Sequence, residues 1–283
     1  MNRVVETSPT AVPQVTDLAL ARRLERTEAH ANAAFVEARA RVRPATGAAW
    51  DDFGGTYAMF DGVGSPITQT FGLGLFTPPT ATQLDAIESF FHDRGADVFH
   101  EVSPLADPTV LSILSERHYH PIELTTVMHM RLTPERPTAT RHPSPELTAR
   151  RIGPGEQAVW ADTMVRGWGE MPGVSAFMQD LGRISADSKV CFLAEWHGAP
   201  IAAAAVALHE GVALLAGAST DPAFRGRGAQ AALLDARLGY AASIGCDLAM
   251  MGALPGSASQ RNGERQGFRI AYTRIKWQQR TEN

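Results

Sequence analysis

The stretch Thr220-Asp221-Pro222-Ala223-Phe224-Arg225-Gly226-Arg227-Gly228-Ala229-Gln230-Ala231-Ala232-Leu233-Leu234 constrains this chain more than any other. An apolar, strand-like run, Val212 to Ala218, leads into it. Leu234, Leu238, Ala241 and Ala242 follow at helical spacing. The segment therefore reads strand, glycine-rich turn, helix. Such a turn presents backbone N–H groups at the positive end of a helix dipole, here with two arginines beside them. That is an anion site, most simply one for phosphates. Gly226 and Gly228 let a ligand approach the backbone with no side chain in the way.

Phosphate loops come in several kinds. A Walker loop needs Gly-Lys-Ser/Thr, a triplet that occurs nowhere in the chain. A dinucleotide fingerprint is formally present as Gly226-x-Gly228-x-x-Ala231, with Asp247 downstream as the ribose-binding acid. That fingerprint usually opens its domain, however, and only Gln230 to Asn283 remain to complete a doubly wound sheet. The third kind is the pyrophosphate loop of acyl-CoA-dependent acyltransferases. Asp221-Pro222-x-Phe224-Arg225-Gly226-Arg227-Gly228-Ala229 resembles motif A of the GNAT-type N-acetyltransferases, Arg/Gln-x-x-Gly-x-Gly/Ala. Gln230 departs from it where the last small residue usually sits; the N–H donors stay, and a side chain is added at the phosphate rim. An ordinary strand-to-helix turn is the bland reading. The flanking strand, the arginines and the elements that follow favour the acyl-CoA loop.

Periodicity lays out the rest. Residues Met1 to Val15 read as a loose arm, Thr16 to Val42 as a helix, and Trp50–Phe53 with Thr56–Phe60 as a hairpin around Gly54-Gly55. Ile67 to Phe76 reads as a longer strand, Thr80–Arg94 and Asp107–Arg117 as helices, Ala96–Val102 and Ile122–Leu132 as strands. Pro134, Pro137, Pro143 and Pro145 mark residues 133–146 as a linker between a first domain, 1–132, and a second, 147–283. The second half reads Leu147–Ile152 strand, Glu156–Arg166 and Val174–Leu181 helices, and Val190–Trp196 and Ile201–Leu208 strands paired across His197-Gly198-Ala199. The strand before the phosphate loop, its helix, a strand at Asp247–Met251, a helix at Ser257–Gln266 ending in Gly267-Phe268, and a strand at Ile270–Trp277 complete it.

This order, from Glu146 to Trp277, resembles the GNAT fold throughout: an α/β (α+β) unit with a mixed, mostly antiparallel central sheet flanked by helices. A weak internal repeat extends the resemblance to two tandem GNAT-like domains. Gly95-Ala96-Asp97 opens a strand as Gly245-Cys246-Asp247 does, and Glu116-Arg117-His118-Tyr119 parallels Glu264-Arg265-Gln266-Gly267-Phe268. Where the second half has its phosphate loop, the first reads Phe76-Thr77-Pro78-Pro79-Thr80-Ala81. Prolines lack the N–H donors that phosphate needs, so the first half reads as degenerate and unable to hold CoA in this way.

The resemblance implies an acetyl-CoA-dependent N-acetyltransferase that passes the acetyl group directly to an amine in a ternary complex. It implies cofactor-binding roles for Arg225, Gly226, Arg227, Gly228, Ala229 and Gln230 at the diphosphate, and for Ala218, Ser219 and Thr220 along the pantetheine arm. A backbone N–H near Ala218 would face the thioester oxygen. Many relatives carry a glutamate on the strand before motif A, but Val212 to Ser219 contains no acid. Many carry a tyrosine four residues before the Gly-Phe glycine, and that position here is Gly263. Either water, Ser259 or Asn262 takes the acid's role or positioning alone suffices; Ser259 and Asn262 lie where CoA or substrate could be touched, with helix capping and loop hydrogen bonding as the plain alternative. Trp168 and Glu170 lie on the loop that in relatives covers the acceptor, where Glu170 could hold or deprotonate an amine or simply be solvated. A small-molecule amine and a protein N-terminus remain open as acceptors, as do monomer and homodimer. A CoA-binding sensor or structural protein that has lost catalysis is the alternative function.

Composition sets the outer bounds. A formal charge of −4 gives no case for nucleic-acid binding, and no apolar run approaches transmembrane length. Met1 to Asp17 lacks the basic start and apolar core of a signal peptide. Cys191 and Cys246 each sit in an apolar run and read as buried free thiols, which suits a reducing cytoplasm. His118, His120 and His129 lack metal-ligand spacing, so no metal is expected.

Overall fold

Helix α1, Leu18–Val42, starts where Asp17 caps it by accepting from the Leu20 N–H at 2.8 Å. It buries more than one face, because both halves of the chain pack on it. The computed structural model describes residues 15–133, 145–168 and 175–280, without the side chains of 175–179 and 181. The expected arm lies almost wholly outside the described residues, as do 134–144 of the expected linker.

The first half continues with β1 (Ala49–Phe53), β2 (Thr56–Phe60), β3 (Gln69–Phe71), α2 (Ala81–His92), β4 (Phe99–Val102), α3 (Thr109–Glu116) and β5 (Tyr119–Arg131). The second contains β6 (Leu147–Arg151), α4 (Gln157–Trp168), α5 (Ser175–Ser188), β7 (Val190–Trp196), β8 (Ala199–His209), β9 (Val212–Thr220), α6 (Ala229–Ser243), β10 (Leu248–Ala253), α7 (Ala258–Arg265) and β11 (Arg269–Gln279). Most expected elements appear within a few residues of their expected ends. The long strand expected over Ile67–Phe76 does not: β3 stops at Phe71, because Gly72 (φ 88°) and Gly74 (φ 68°) turn the chain out of the extended region. Helix α5 runs to Ser188, well past the expected Leu181.

All eleven strands form one sheet, in the order β1-β2-β3-β4-β11-β5-β10-β9-β8-β7-β6. Only β3·β4 and β9·β10 pair in parallel; every other neighbouring pair is antiparallel. The two halves thus run outward from a central antiparallel pair, β11·β5. That pair is exchanged. The last strand of the chain, β11, lies against β4 of the first half, and β5, the last strand of the first half, lies against β10 of the second.

One side of the sheet is covered by α1 and α4. Leu20, Ala21, Leu24 and Ala31 of α1 pack with Val212, Leu214, Leu248 and Met250 of the second half, and Ala29, Ala33 and Val36 pack with Tyr57, Met59 and Phe71 of the first. On the other side, Leu233, Leu238 and Ala241 of α6 pack on Ala202, Ala204 and Val206. The run Ile201–Ala207 in β8 is buried throughout. Its small side chains let helices on both sides come close to the strand.

At the centre of the exchange Arg274 of β11 is 2 % exposed. It donates to Glu101 of β4 at 2.8 Å, and to Glu25 at 3.2 Å and Glu28 at 2.9 Å of α1, while the Tyr272 hydroxyl donates to Glu25 at 2.8 Å. Burial lifts the Glu25 carboxyl from 4.5 to about 7, against the pull of the Arg274 charge. A group with a raised folded-state pKa holds its proton in the folded chain after the unfolded chain has released it. Its contribution to stability therefore falls as pH rises from about 4.5 to about 7, and is level above that. Glu25→Gln cannot ionise and escapes this loss. In urea titrations the stability of the variant relative to the unaltered chain should climb between about pH 5 and pH 7 and then flatten. A relative stability independent of pH over that range would show that Glu25 titrates normally.

Candidate functional site

Parallel strands β9 and β10 pair only from Val212↔Leu248 to Leu214↔Met250. Beyond that point they separate, and the last part of β9 runs unpaired on this side to Thr220. A β-bulge accompanies the parting. Ala203 pairs with Ser219 and Ala205 with Ala216, so two residues, Gly217 and Ala218, stand opposite Ala204 alone. Gly217 has φ 59°, a left-handed conformation that admits glycine readily. The wedge-shaped mouth that results lies between β9 and β10, and β10 is backed by β5. Gly252 of β10 sits so close to β5 that a Cβ there would lie 3.3 Å from the Thr125 methyl group.

The wall toward α4 is equally close. A Cβ on Gly167 would lie 2.5 Å from the Ser219 side chain and 2.8 Å from the Thr220 nitrogen. The Ser219 hydroxyl donates to the Met164 carbonyl at 2.9 Å. From opposite sides of the sheet two helices satisfy carbonyls beside the bulge. The Trp160 indole N–H of α4 donates to Ala204 at 3.1 Å, and the buried Arg237 of α6 donates to Ala205 at 3.2 Å. Burial pulls the Arg237 guanidinium down to about 10.

At the rim, a 3-10 turn over Pro222–Phe224 is capped by Asp221, whose carboxylate accepts from the Ala223 N–H at 3.0 Å. Gly226 (φ 79°) and Gly228 (φ 84°) follow, and Gly228 is the N-cap of α6. Among the described residues no side chain caps this helix, so its first-turn N–H groups lack a side-chain acceptor. The expected diphosphate residues Arg225 to Gln230 are therefore together at one helix N-terminus. Gln230 reaches back to the strand, donating to Thr220 Oγ1 at 2.7 Å, rather than projecting over the rim. Arg225 leans toward α4, 3.5 Å from the Gly167 carbonyl. Arg227 turns the other way, over the rings of Trp196 and Phe224.

The first half has the same local plan with the opposite outcome. Its parallel pairing also ends early, at Phe71↔Glu101. There the gap is filled by Gly72–Phe76, with Leu73 and Leu75 buried and the Gly74 carbonyl accepting from the Asp107 N–H at 2.8 Å. Thr80 caps α2 through its own hydroxyl, which accepts from the Gln83 N–H at 3.1 Å.

The remaining expected residues scatter. Ser259 and Asn262 lie exposed on α7, whose N-cap is Ser257. Asn262 accepts from Arg265 at 3.2 Å, within its own helix. Gly263 is buried, and a Cβ there would lie 2.9 Å from the Met251 sulfur, so a larger residue requires the Met251 side chain to move. Trp168 is half-exposed at the end of α4, and Glu170 lies outside the described residues. Asp247 is no ribose ligand for this loop. It precedes the start of β10, level with the beginning of β9 and so at the opposite end of the sheet from Gly226, and it is paired with Arg23. Among the described residues no group of His, Cys, Asp and Glu is placed to hold a metal ion, and no helix is long and apolar enough to cross a membrane. Gly217, Gly167, Trp160 and Arg237 were not singled out by the sequence; a glycine inside a strand pattern was the one available signal.

Comparison with known proteins agrees with this geometry. Residues 159–268 match the model of the Acetyltransferase (GNAT) family. The fold is similar to that of a GCN5-related N-acetyltransferase from Kribbella flavida, at 18 % identity and TM-score 0.59 over 88 % of this chain and 96 % of that one. It is similar also to a GCN5-related N-acetyltransferase from Sphaerobacter thermophilus, at 17 % identity and TM-score 0.58 over 81 % of this chain and 78 % of that one. A tandem GNAT protein from the clavulanic acid biosynthesis pathway aligns at 14 % identity and TM-score 0.54, over 81 % of this chain and 79 % of that one. No curated protein sequence matches the chain significantly. The GNAT fold thus spans both halves.

The bulge gives a direct test. Gly217→Val places a β-branched residue at φ 59°, at a cost of about 1–3 kcal/mol. Gly226→Ala at φ 79° meets open space and costs about 1 kcal/mol. Urea unfolding of the two variants should rank them in that order; equal losses would mean that β9 runs straight in solution.

Proposed function

We propose that this chain is an acyltransferase that moves an acetyl group from acetyl-CoA to a primary amine by direct attack in a ternary complex. One observation carries the reading. The uncapped N-terminus of α6 and the unpaired edge of β9 open on the same mouth. Together they suit a ligand that has a diphosphate at one end and an extended, amide-bearing arm at the other. The α6 amides and Arg225 would hold the diphosphate. The pantetheine would add to β9 along Ala218–Thr220 like a further strand, its amides pairing with main-chain groups that β10 leaves free.

Acyl transfer then needs little from side chains. The bulge turns the main chain at Gly217–Ala218 so that an N–H from this stretch can meet the thioester oxygen as negative charge develops there. Helix α4 closes one side and β10 the other, which holds the amine against the thioester and supplies proximity. The nitrogen's lone pair attacks the carbonyl carbon, the C–S bond breaks, and the thiolate leaves to take up a proton while the new ammonium loses one. The Ser219 hydroxyl donates its proton to the Met164 carbonyl and positions the strand, while Thr220 Oγ1 accepts from Gln230. Asn262, Ser259 or Glu170 could meet the coenzyme or the acceptor, and Trp168 would stand at the acceptor's edge.

In this scheme residues 147–283 are the catalytic unit. Residues 1–132 are a degenerate copy that contributes α1 and β5, and 133–146 join the two. The acceptor is a small-molecule amine or a protein N-terminus, and the chain works in the cytoplasm.

A second reading is a coenzyme-binding sensor without turnover. It is favoured by the acid-free β9 and by Gly263, which sits where relatives place a tyrosine. Free-thiol release from acetyl-CoA across a panel of amines decides between the two. The enzyme should release thiol with at least one amine class, and Arg225→Glu, at an exposed side chain, should sharply weaken both release and coenzyme binding while the melting temperature stays within a few degrees. Tight binding with no release on any amine selects the sensor. No binding of acetyl-CoA at millimolar concentration removes both.

A further inference from the structure

The two arginines of the loop are not equivalent. Arg225 leans on the α4 wall, the side from which an acceptor would enter. Arg227 is exposed on the opposite flank, its guanidinium carbon 4.8 Å from the centre of the Trp196 ring and 5.4 Å from that of Phe224. Both aromatics are half-buried and anchored on the same apolar cluster as α6. No carboxylate of the described residues lies within ion-pair distance of Arg227. A guanidinium resting on aromatic rings is fixed by its face, and the N–H groups along its edge stay available in a planar fork suited to phosphate oxygens. A positive group built this way, without an internal counter-ion, is prepared for an external anion.

We infer that Arg227, clamped by Trp196 and Phe224, takes the ribose 3′-phosphate of coenzyme A and makes the site selective for carriers that bear it. The inference rests on the coenzyme reading above. The α6 amides supply the donors for the diphosphate, and the acyl arm runs inward between β9 and β10. The nucleotide end must then lie outside the mouth on the α6 side of the sheet, where Trp196 and Phe224 hold Arg227. The 3′-phosphate is the one further anion that the carrier has. Arg227 is the binding residue, and Trp196, at the β7–β8 hairpin, is a positioning residue that acts through it.

Calorimetric titration with coenzyme A and with 3′-dephospho-coenzyme A tests this without knowledge of the acceptor. The unaltered chain should prefer coenzyme A by about tenfold, the worth of one charge-assisted contact at an exposed site. Arg227→Gln should erase the preference by weakening coenzyme A alone, leaving the dephospho form unchanged. Trp196→Leu should reduce the preference to a few-fold, and Trp196→Phe, which keeps a ring under the guanidinium, should retain most of it. Arg225→Gln should weaken both ligands alike. Melting curves identify any Trp196 variant that fails to fold; Arg227 is exposed, so its variant keeps the test decisive. Equal affinity of the unaltered chain for the two ligands, or a parallel loss of both in Arg227→Gln, overturns the assignment and leaves the coenzyme reading standing. If neither ligand binds the unaltered chain, the coenzyme reading falls and the assignment falls with it.

Discussion

The interleaving of the two halves turns on Arg274. Its guanidinium reaches Glu25 and Glu28 of the first helix and Glu101 of β4, all from the last strand of the chain. A slip of β11 by one residue would carry Arg274 to the other side of the sheet and strand three carboxylates without their cation. Such clusters are weak sources of net stability, because desolvation consumes most of the Coulombic gain. What this one supplies is a register with a heavy penalty for alternatives. Burial in this closed space, with the neighbouring charges of Glu28 and Glu101 adding to it, raises the Glu25 carboxyl to about 7 against the pull of Arg274.

The exchange makes the second half dependent on the first in a way that a chain of independent domains would not be. Strand β5 lies against β10 through Met128↔Met251 and Val127↔Gly252, so the strand that forms one wall of the mouth is itself held in place by the first half. The first half has meanwhile closed its own mouth. The difference between the two comes down to what meets the end of a parallel strand. After β9 the chain leaves a bare helix N-terminus with glycine at the cap, whereas after β3 it folds Leu73 and Leu75 into the gap and caps α2 with Thr80. One helix end faces outward with unmet donors, and the other is satisfied from within.

This division follows what a sequence can display. The loop was legible because its determinants are local: glycines at positive φ, arginines beside them, a strand before and a helix after. Thr80 and the prolines before it were legible for the same reason. The exchange was not, since the order of elements along the chain is the same whichever strand β5 and β11 choose as neighbours. Nor was the short β3, where the alternation of Ile67–Phe76 suggested a strand and Gly72 and Gly74 ended it. Gly263 was noticed for the side chain it lacks. Its burial against the Met251 side chain depends on how closely α7 settles on β10 and is not written in either segment alone.

The bulge in β9 shows how far the site extends beyond its motif. An extra residue in one strand leaves ladder groups of its neighbour without partners, and a buried carbonyl without a donor is costly. Trp160 and Arg237 supply those donors from opposite sides of β8, and they can reach because the strand between them is almost entirely alanine. A larger side chain at Ala203 or Ala204 would lift one helix from the sheet and withdraw its donor. The bulge could then relax toward a regular ladder, and the amide at Gly217–Ala218 would turn away from the mouth. The catalytic geometry proposed for this loop is therefore held by two helices and a strand of small residues, none of which belongs to the sequence motif that announces it.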